Sequence, residues 1–120
     1  MKIAVIGSRH ITDFDLYEYI PGNVTEIVSG GARGVDTLAR NFAIENGLLL
    51  KEFLPDYNTY GRRAPLIRND LIIDYADAVL AIWDGESHGT AYVIDRCKML
   101  EKPLQVVIVG HKSDDQLSMI

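Results

Sequence analysis

Short apolar runs alternate along this chain with longer segments in which hydrophobic residues recur every three or four positions. The apolar runs predict strands, and the longer segments predict amphipathic helices. The predicted strands are Lys2–Ile6, Glu26–Ser29, Leu48–Phe53, Ala78–Trp83 and Leu104–Val109. Because strands and helices alternate, the pattern predicts an α/β fold with a five-stranded parallel sheet and helices on both faces.

Residues typical of helix ends lie between these strands. Thr12, with Asp15 three residues later, is similar to a capping box and predicts a helix that ends at Pro21. Gly47 is typical of the residue that follows a helix, and Pro65 is typical of a first helical turn. The other predicted helices are Gly34–Asn46, Pro65–Tyr75 and Gly89–Glu101, and residues 54–61 are predicted to form a polar loop.

The order of the strands decides where a ligand would bind. For the order 3-2-1-4-5, ligands bind beyond the carboxyl ends of the strands, where the strand order reverses between the first and the fourth. Three loops would meet there, namely Gly7-Ser8-Arg9, Ser29 to Gly34 and Trp83 to Thr90. We expect residues 1–110 to form this single domain, and residues 111–120 to form a polar C-terminal tail.

Composition and charge limit the classes of partner. The 120 residues are 48% hydrophobic and carry a net charge of −5, which argues against general binding to nucleic acids or membrane surfaces. No apolar stretch is long enough to span a bilayer, and Met1-Lys2 leads directly into a strand rather than a signal peptide. The single cysteine, Cys97, lies on an apolar helical stripe and is predicted to be a core residue. These features predict a cytoplasmic protein.

The turn after the second strand is the first candidate for ligand chemistry. It reads Ser29-Gly30-Gly31-Ala32-Arg33-Gly34-Val35-Asp36, which is a strand end, a glycine-rich turn and a helix start. Glycines let a ligand approach the backbone, and the N-terminus of a helix offers unpaired N–H groups. Arg33 adds a planar cation and is the expected main contact to a phosphate. Asp36 could either pin the turn or face the ligand, and an ordinary tight loop would need glycines as well.

The loop after the fourth strand repeats this design. Asp84-Gly85-Glu86-Ser87-His88-Gly89-Thr90 brings hydroxyl groups and small residues to a helix start, either as a second anion site or as an ordinary N-cap. The spacing Gly85-x-Ser87-x-Gly89 also matches the nucleophile elbow of serine hydrolases. Asp95 and His111 follow in hydrolase order, but one is predicted inside a helix and the other in the tail.

Two arginines and three aromatic residues have alternative interpretations. Arg9 directly follows the first strand and is a candidate anion contact. Arg68-Asn69 either contact the ligand or lie on the surface, where Asp70 and Asp74 could pair with the arginine. The aromatic residues could stack on a base or pack against the protein, and they are Trp83, Tyr57 and Tyr60. No spacing of histidine, cysteine and carboxylate residues indicates a metal site.

Taken together, these motifs resemble the SLOG superfamily, a Rossmann-like group that includes the Lonely Guy phosphoribohydrolases and the DNA-processing protein A. The resemblance covers residues 1–109 and rests on Gly7-Ser8-Arg9, Ser29 to Asp36, Arg68-Asn69 and Ser87-x-Gly89-Thr90. Within that group, the chain looks like the small single-domain YspA/YpsA-related proteins of bacteria and phages. The resemblance implies a Rossmann-like three-layer sandwich and a nucleotide-type ligand, with NAD and ADP-ribose among the candidates. Dimers are common in the wider group, so a homodimer is a further expectation.

One difference from the family concerns catalysis. Lonely Guy enzymes carry Pro-Gly-Gly-x-Gly-Thr-x-x-Glu, in which the glutamate serves cleavage of the N-glycosidic bond. Gly89-Thr90 match the Gly-Thr of this motif, but Val93 stands at the position of the glutamate. An N-glycosidase would therefore need another carboxylate, such as Asp84 or Glu86.

We expect the protein to bind a nucleotide or a phosphorylated nucleoside derivative at the carboxyl edge of the sheet, as a sensor or processing protein. A Lonely Guy type phosphoribohydrolase is the first alternative, and a small serine hydrolase that uses Ser87 is the second. No catalytic residue, cofactor or metal is assigned. The candidate ligand-binding residues are Gly7, Ser8, Arg9, Ser29, Gly30, Gly31, Ala32, Arg33, Gly34, Asp36, Arg68, Asn69, Trp83, Ser87, Gly89 and Thr90.

Overall fold

Five short strands, most of them buried on both faces, form one parallel sheet. The computed structural model describes residues 1–110, and the predicted tail, including His111, lies outside the described residues. All neighbouring strands pair in parallel in the order β3-β2-β1-β4-β5, so the predicted fold class and strand order are confirmed. The strands are β1 (Lys2–Gly7), β2 (Glu26–Ser29), β3 (Leu49–Glu52), β4 (Ala78–Trp83) and β5 (Leu104–Ile108).

Helices cover both faces of the sheet, as the three-layer prediction requires. Helix α1 packs against β1, β2 and β3 on one face, and α3 and α4 pack side by side on the other. None of the helices within residues 1–110 combines the length and the apolar composition needed to cross a membrane. The helices are α1 (Val35–Glu45), α2 (Tyr57–Tyr60), α3 (Ala64–Tyr75) and α4 (His88–Leu100).

Two hydrophobic cores lie on opposite sides of the sheet. Successive residues of a strand point to opposite faces, so Val5 joins the core beneath α1 whereas Ala4 joins the core beneath α3 and α4. Cys97 is fully buried in the second core, which confirms its predicted position. Gly47 follows α1 with a φ of 65°, as expected for a residue that ends a helix.

The connection between β1 and β2 differs from the prediction. The pattern predicts a helix from Thr12 to Pro21, but the segment forms a single 3₁₀ turn, Leu16–Glu18, and the predicted helix is wrong. Asp15 rather than Thr12 caps this turn, because its carboxylate accepts a hydrogen bond from the Tyr17 N–H at 3.0 Å. Aspartate side chains that bind the nearby backbone in this way compete with α-helix formation.

The segment between β3 and α3 is more regular than the predicted polar loop. It contains the single turn α2, which the Asp56 side chain caps, and a 3₁₀ turn at Gly61–Arg63 that leads directly into α3. Pro65 lies in the first turn of α3, as predicted. The remaining boundaries agree with the predictions to within two residues.

Candidate functional site

A cleft of about 420 Å³ opens at the carboxyl edge of the sheet, between the loops that follow β1, β2 and β4 and the first half of α3. Strand order reverses between β1 and β4, so the cleft lies where ligands of parallel sheets bind. Most of the predicted site residues line it, and these are Gly7, Ser8, Arg9, Gly30, Ala32, Asp36, Arg68, Asn69, Ser87, Gly89 and Thr90.

The other five predicted site residues lie outside the described lining of the cleft. Ser29 is buried and accepts a hydrogen bond from the Gly31 N–H at 3.4 Å. Trp83 packs against the second core, and its indole N–H donates to the carbonyl oxygen of Ser87 at 3.1 Å. Arg33, the expected main phosphate contact, is exposed. The remaining two residues are Gly31, which donates the hydrogen bond to Ser29, and Gly34.

Gly34 and Gly30 allow the loops of the cleft to approach one another closely. At Gly34, φ is 73°, and a Cβ atom would lie 2.4 Å from the carbonyl oxygen of Arg9 and 2.5 Å from that of Ser8. At Gly30, a Cβ atom would lie 2.6 Å from the Nη1 of Arg68. Only glycine fits at Gly34, and a larger residue at Gly30 would displace the guanidinium of Arg68. Both glycines therefore have a structural role in addition to any contact with a ligand.

Ser8 connects the three loops that form the cleft. It is 1% exposed, and its carbonyl oxygen accepts a hydrogen bond from the Val35 N–H at 3.3 Å, at the start of α1. Its hydroxyl oxygen accepts a hydrogen bond from the Asp84 N–H at 3.2 Å, in the loop after β4. The N–H of Ser8 donates to the carbonyl oxygen of Ile82. Ser8 therefore sets the spacing of the loops.

Arg68 reaches the cleft from α3 and is 9% exposed. Its Nη1 donates to the carbonyl oxygens of Gly30, at 2.6 Å, and Phe53, at 3.2 Å. Its Nε donates to the Asn69 side chain at 2.8 Å. Arg68 forms no salt bridge within residues 1–110. Within that range, the buried guanidinium therefore lines the cleft without a directly paired carboxylate.

The alternative prediction, in which Arg68 lies on the surface and pairs with Asp70 or Asp74, is wrong. Asp70 instead accepts a hydrogen bond from the Tyr92 hydroxyl at 2.9 Å and lies 3.5 Å from the Nε of Arg96. Burial lowers the pKa of Arg68, the charge of Asp36 opposes this change, and the charge of Arg9 adds to it. The nearby positive charge of Arg9 makes the cleft more favourable for an anion.

Asp36 lies in the first turn of α1, lines the cleft and is 7% exposed. Its Oδ2 accepts a hydrogen bond from the Ala32 N–H at 3.0 Å. Burial raises the pKa of Asp36, although the hydrogen bond from Ala32, the charge of Arg68 and a hydrogen bond with Ser29 act in the opposite direction. Asp36 therefore both pins the turn and lines the cleft, so neither alternative from the sequence excludes the other.

In the loop after β4, the N-cap residue of α4 does not cap the helix with its side chain. Asp84 Oδ1 accepts hydrogen bonds from the N–H groups of Glu86, at 2.9 Å, and Ser87, at 2.8 Å. Ser87 is the N-cap residue, but its side chain makes no capping hydrogen bond, and the first turn contains no acidic residue. Gly89 and Thr90 of this turn line the cleft. Unpaired N–H groups at such a position attract anions.

The geometry of Ser87 does not support the serine hydrolase hypothesis. Its φ and ψ of −59° and 122° are ordinary extended values, whereas a nucleophile elbow holds its serine in a strained turn. The Ser87 hydroxyl lies 3.3 Å from the Thr90 hydroxyl. Asp95 is exposed on α4 and lies outside the described lining of the cleft, and His111 lies outside the described residues.

Several lining residues are absent from the predicted site. The apolar ones belong to core-forming elements and carry no local signal of a ligand site, whereas the polar ones sit next to predicted residues. They are Ile6, His10, Pro65, Ile72, Asp84, Glu86 and Val93. Among residues 1–110, no three histidine, cysteine or carboxylate side chains are grouped so that they could hold a metal ion.

Comparison with known proteins identifies no relative of this chain. The chain matches no family model, no curated protein and no solved structure. The chemistry of the cleft is therefore the basis for assigning a function.

Proposed function

We propose that the cleft binds a nucleotide or another phosphorylated nucleoside derivative, with NAD and ADP-ribose among the candidates. A phosphate of the ligand lies between Arg68 and the first turn of α4. The observation that carries this proposal is the buried Arg68, whose guanidinium lines the cleft and has no salt-bridge partner within the described residues. Burying a cation is costly unless an anion accompanies it, so a bound phosphate would complete the site.

Helix α4 supports the same placement of the phosphate. The N–H groups of Gly89 and Thr90 belong to its first turn, and the side chain of the N-cap residue, Ser87, makes no capping hydrogen bond. The N-terminus of a helix carries a partial positive charge, and its free N–H groups suit phosphate oxygens. Arg9 adds an exposed cation to the lining of the cleft.

Carboxylates in the same cleft favour a nucleotide over a simple phosphate. Asp36 and Asp84 line the cleft together with the cations. Carboxylate oxygens accept hydrogen bonds, which the hydroxyl groups of a ribose can donate. A ligand that carries both a phosphate and a sugar therefore matches the two kinds of side chain.

Calorimetric titration of the protein with AMP, ADP-ribose and NAD tests this proposal. We expect at least one of these ligands to bind, and we expect Arg68→Lys to weaken its binding about tenfold or more. Hydrogen bonds to charged groups contribute about 1.5–3 kcal/mol, and a lysine cannot reproduce the planar guanidinium.

Thermal melting of Arg68→Lys without ligand shows whether the fold persists, because Arg68 also holds the carbonyl groups of Gly30 and Phe53. Inorganic phosphate is the control ligand and should bind more weakly than a nucleotide. The proposal is wrong if the folded wild type binds none of the three ligands.

A nucleotide N-glycosidase is the second candidate, because Asp84 and Glu86 both line the cleft. Burial raises the pKa of Asp84, but the N–H groups of Ser87 and Glu86 outweigh this effect and lower it overall. Asp84 is therefore an anion that holds the turn, and Glu86 is the carboxyl group to test. Release of free base from AMP at about 1 per second or faster, lost in Glu86→Gln, would establish this activity.

A further inference from the structure

The cleft offers a phosphate and a sugar polar partners, but it offers a base little to stack on. Its described lining contains no phenylalanine, tyrosine or tryptophan. Proteins commonly bind nucleic-acid bases by stacking them on aromatic side chains. A nucleotide held by its phosphate in this cleft would therefore gain affinity if its base reached an aromatic residue beyond the lining.

Two exposed tyrosines belong to the segment that precedes α3. Tyr57 is 57% exposed and Tyr60 is 46% exposed, and neither α2 nor the 3₁₀ turn after it contains a buried residue. Asp56 nevertheless holds the segment in a defined turn, because its carboxylate accepts hydrogen bonds from the N–H and the hydroxyl of Thr59 at 3.1 and 2.7 Å. A fixed turn that buries nothing presents its side chains instead of stabilising the core.

This segment borders the cleft at both of its ends. Phe53, which precedes it, accepts a hydrogen bond from Arg68, and Pro65, which follows it, lines the cleft. Burial lowers the pKa of Arg68, and of the two tyrosines only Tyr57 contributes to that pKa, by raising it. Helix α2, which carries Tyr57, also packs against α3, the helix that carries Arg68.

Positive charge accompanies the two tyrosines. Arg62 and Arg63 follow them in the 3₁₀ turn, are exposed, and form no salt bridge within the described part of the chain. Aromatic rings beside unpaired cations are the combination on which bases and phosphates bind together.

We propose that the base of the bound nucleotide stacks on the ring of Tyr57, while the phosphate lies between Arg68 and α4. This inference rests on the proposed function and assigns the base to a specific residue. Stacking accepts every base because each has a flat aromatic face. Tyr57 thus makes the site selective for nucleotides over sugar phosphates, and purines, with the larger ring system, bind more tightly than pyrimidines.

Titration with AMP and ribose 5-phosphate tests the inference, because the two ligands share the sugar phosphate and differ in the base. Wild type should bind AMP more tightly, and Tyr57→Ala should weaken AMP about tenfold while leaving ribose 5-phosphate unchanged. Tyr57→Phe should bind AMP like wild type, since the ring persists. Tyr17→Ala is the matched control, because Tyr17 is 59% exposed and packs against Phe42 of α1, away from the cleft.

Four results would overturn the stacking of the base. One is an AMP affinity that Tyr57→Ala leaves unchanged, and another is equal binding of both ligands by wild type. The third is an equal loss of both ligands in Tyr57→Ala, which would make Tyr57 a structural neighbour of Arg68. Wild type that binds neither ligand also overturns the inference, and the titrations with NAD and ADP-ribose then decide the proposed function separately.

Discussion

Two helices begin beside the cleft after similar small-residue turns, yet their first turns differ in chemistry. At the start of α1, Asp36 supplies a carboxylate that accepts the Ala32 N–H, and the Val35 N–H is taken by the carbonyl oxygen of Ser8. The first turn of α4 has no acidic residue, and its N-cap Ser87 makes no capping hydrogen bond. The start of α1 is thus closed by the protein's own groups, and the start of α4 is open.

A carboxylate in the first turn of a helix takes the place, in charge and in position, that a bound anion would occupy. Helix α1 carries such a carboxylate and α4 does not. Of the two turns, we therefore expect a bound anion at the one whose first helical turn lacks an acid. For this reason we place the phosphate at α4, although the turn before α1 has the more conspicuous sequence.

The largest effect should come from giving α4 the acid that α1 already has. A Cβ atom at Gly89 would meet no atom within 4 Å, so Gly89→Asp adds a charge without a clash. We expect the affinity for AMP to fall about a hundredfold or more, because like charges at contact distance repel by several kcal/mol. The melting temperature should stay level or rise, since an acid in the first turn stabilises a helix by about 0.3–1 kcal/mol.

Gly89→Asn has the same shape without the charge and serves as the control. It should retain most of the affinity for AMP in the same calorimetric titration. Equal binding by the aspartate and asparagine variants would show that no phosphate lies at the start of α4.

Asp36, at the start of α1, and Asp84, in the loop before α4, should contribute to folding stability with opposite pH dependence. Burial raises the pKa of Asp36 above its ordinary value of 3.8, despite the hydrogen bond from Ala32. Its contribution to stability is therefore complete below 3.8 and is lost as the pH rises through the folded pKa. The pKa of Asp84 lies below 3.8, because the N–H groups of Ser87 and Glu86 outweigh burial. Its contribution is present above 3.8 and is lost as the pH falls through the folded pKa.

Urea unfolding of wild type, Asp36→Asn and Asp84→Asn between about pH 3 and pH 7 measures this difference. As the pH rises, Asp36→Asn should gain stability relative to wild type, whereas Asp84→Asn should lose stability. The loss in Asp84→Asn should reach about 1 kcal/mol at neutral pH, because the asparagine oxygen can accept the same hydrogen bonds but lacks the charge that strengthens them. Three parallel curves would contradict both shifts.

The smallest effect on the affinity for AMP should come from Arg33→Ala, in the turn before α1. Arg33 is exposed and lies outside the described lining of the cleft, so the affinity for AMP should stay within about twofold of wild type. Arg9→Ala is the comparison, because Arg9 is also exposed but lines the cleft, and it should weaken AMP about fivefold. If Arg33→Ala loses more affinity than Arg9→Ala, the phosphate lies at α1 instead.

Much of the fold could be predicted because buried parallel strands leave a clear pattern. β2 and β4 have the predicted boundaries, since each is a short apolar run between polar turns. The segment before β2 could not be predicted in the same way. It buries Ile11 and Leu16 separately, and the Asp15 side chain accepts a hydrogen bond from the Tyr17 N–H, so no helical period marks its structure.

The meeting of the three loops could be predicted from the strand order, but the direction of each side chain could not. Arg33 lies inside the most conspicuous turn and is exposed, whereas Arg68 comes from another helix and binds the carbonyl oxygen of Gly30, 38 positions away. A contact at that distance leaves no local signal in the sequence. Neither the strand pattern nor the glycine spacing therefore distinguishes the two arginines.

The hydrogen bond between Ser8 and Asp84 bears on when the cleft forms during folding. The hydrogen bond that its hydroxyl accepts from Asp84 joins positions 76 residues apart, across the pairing of β1 with β4. Contacts so distant along the chain form slowly, because most of the intervening polypeptide must first be ordered. The amide hydrogen of Asp84 should accordingly exchange with solvent only when the centre of the sheet opens. A ligand in the cleft would therefore slow exchange there and act as a reporter of the completely folded chain.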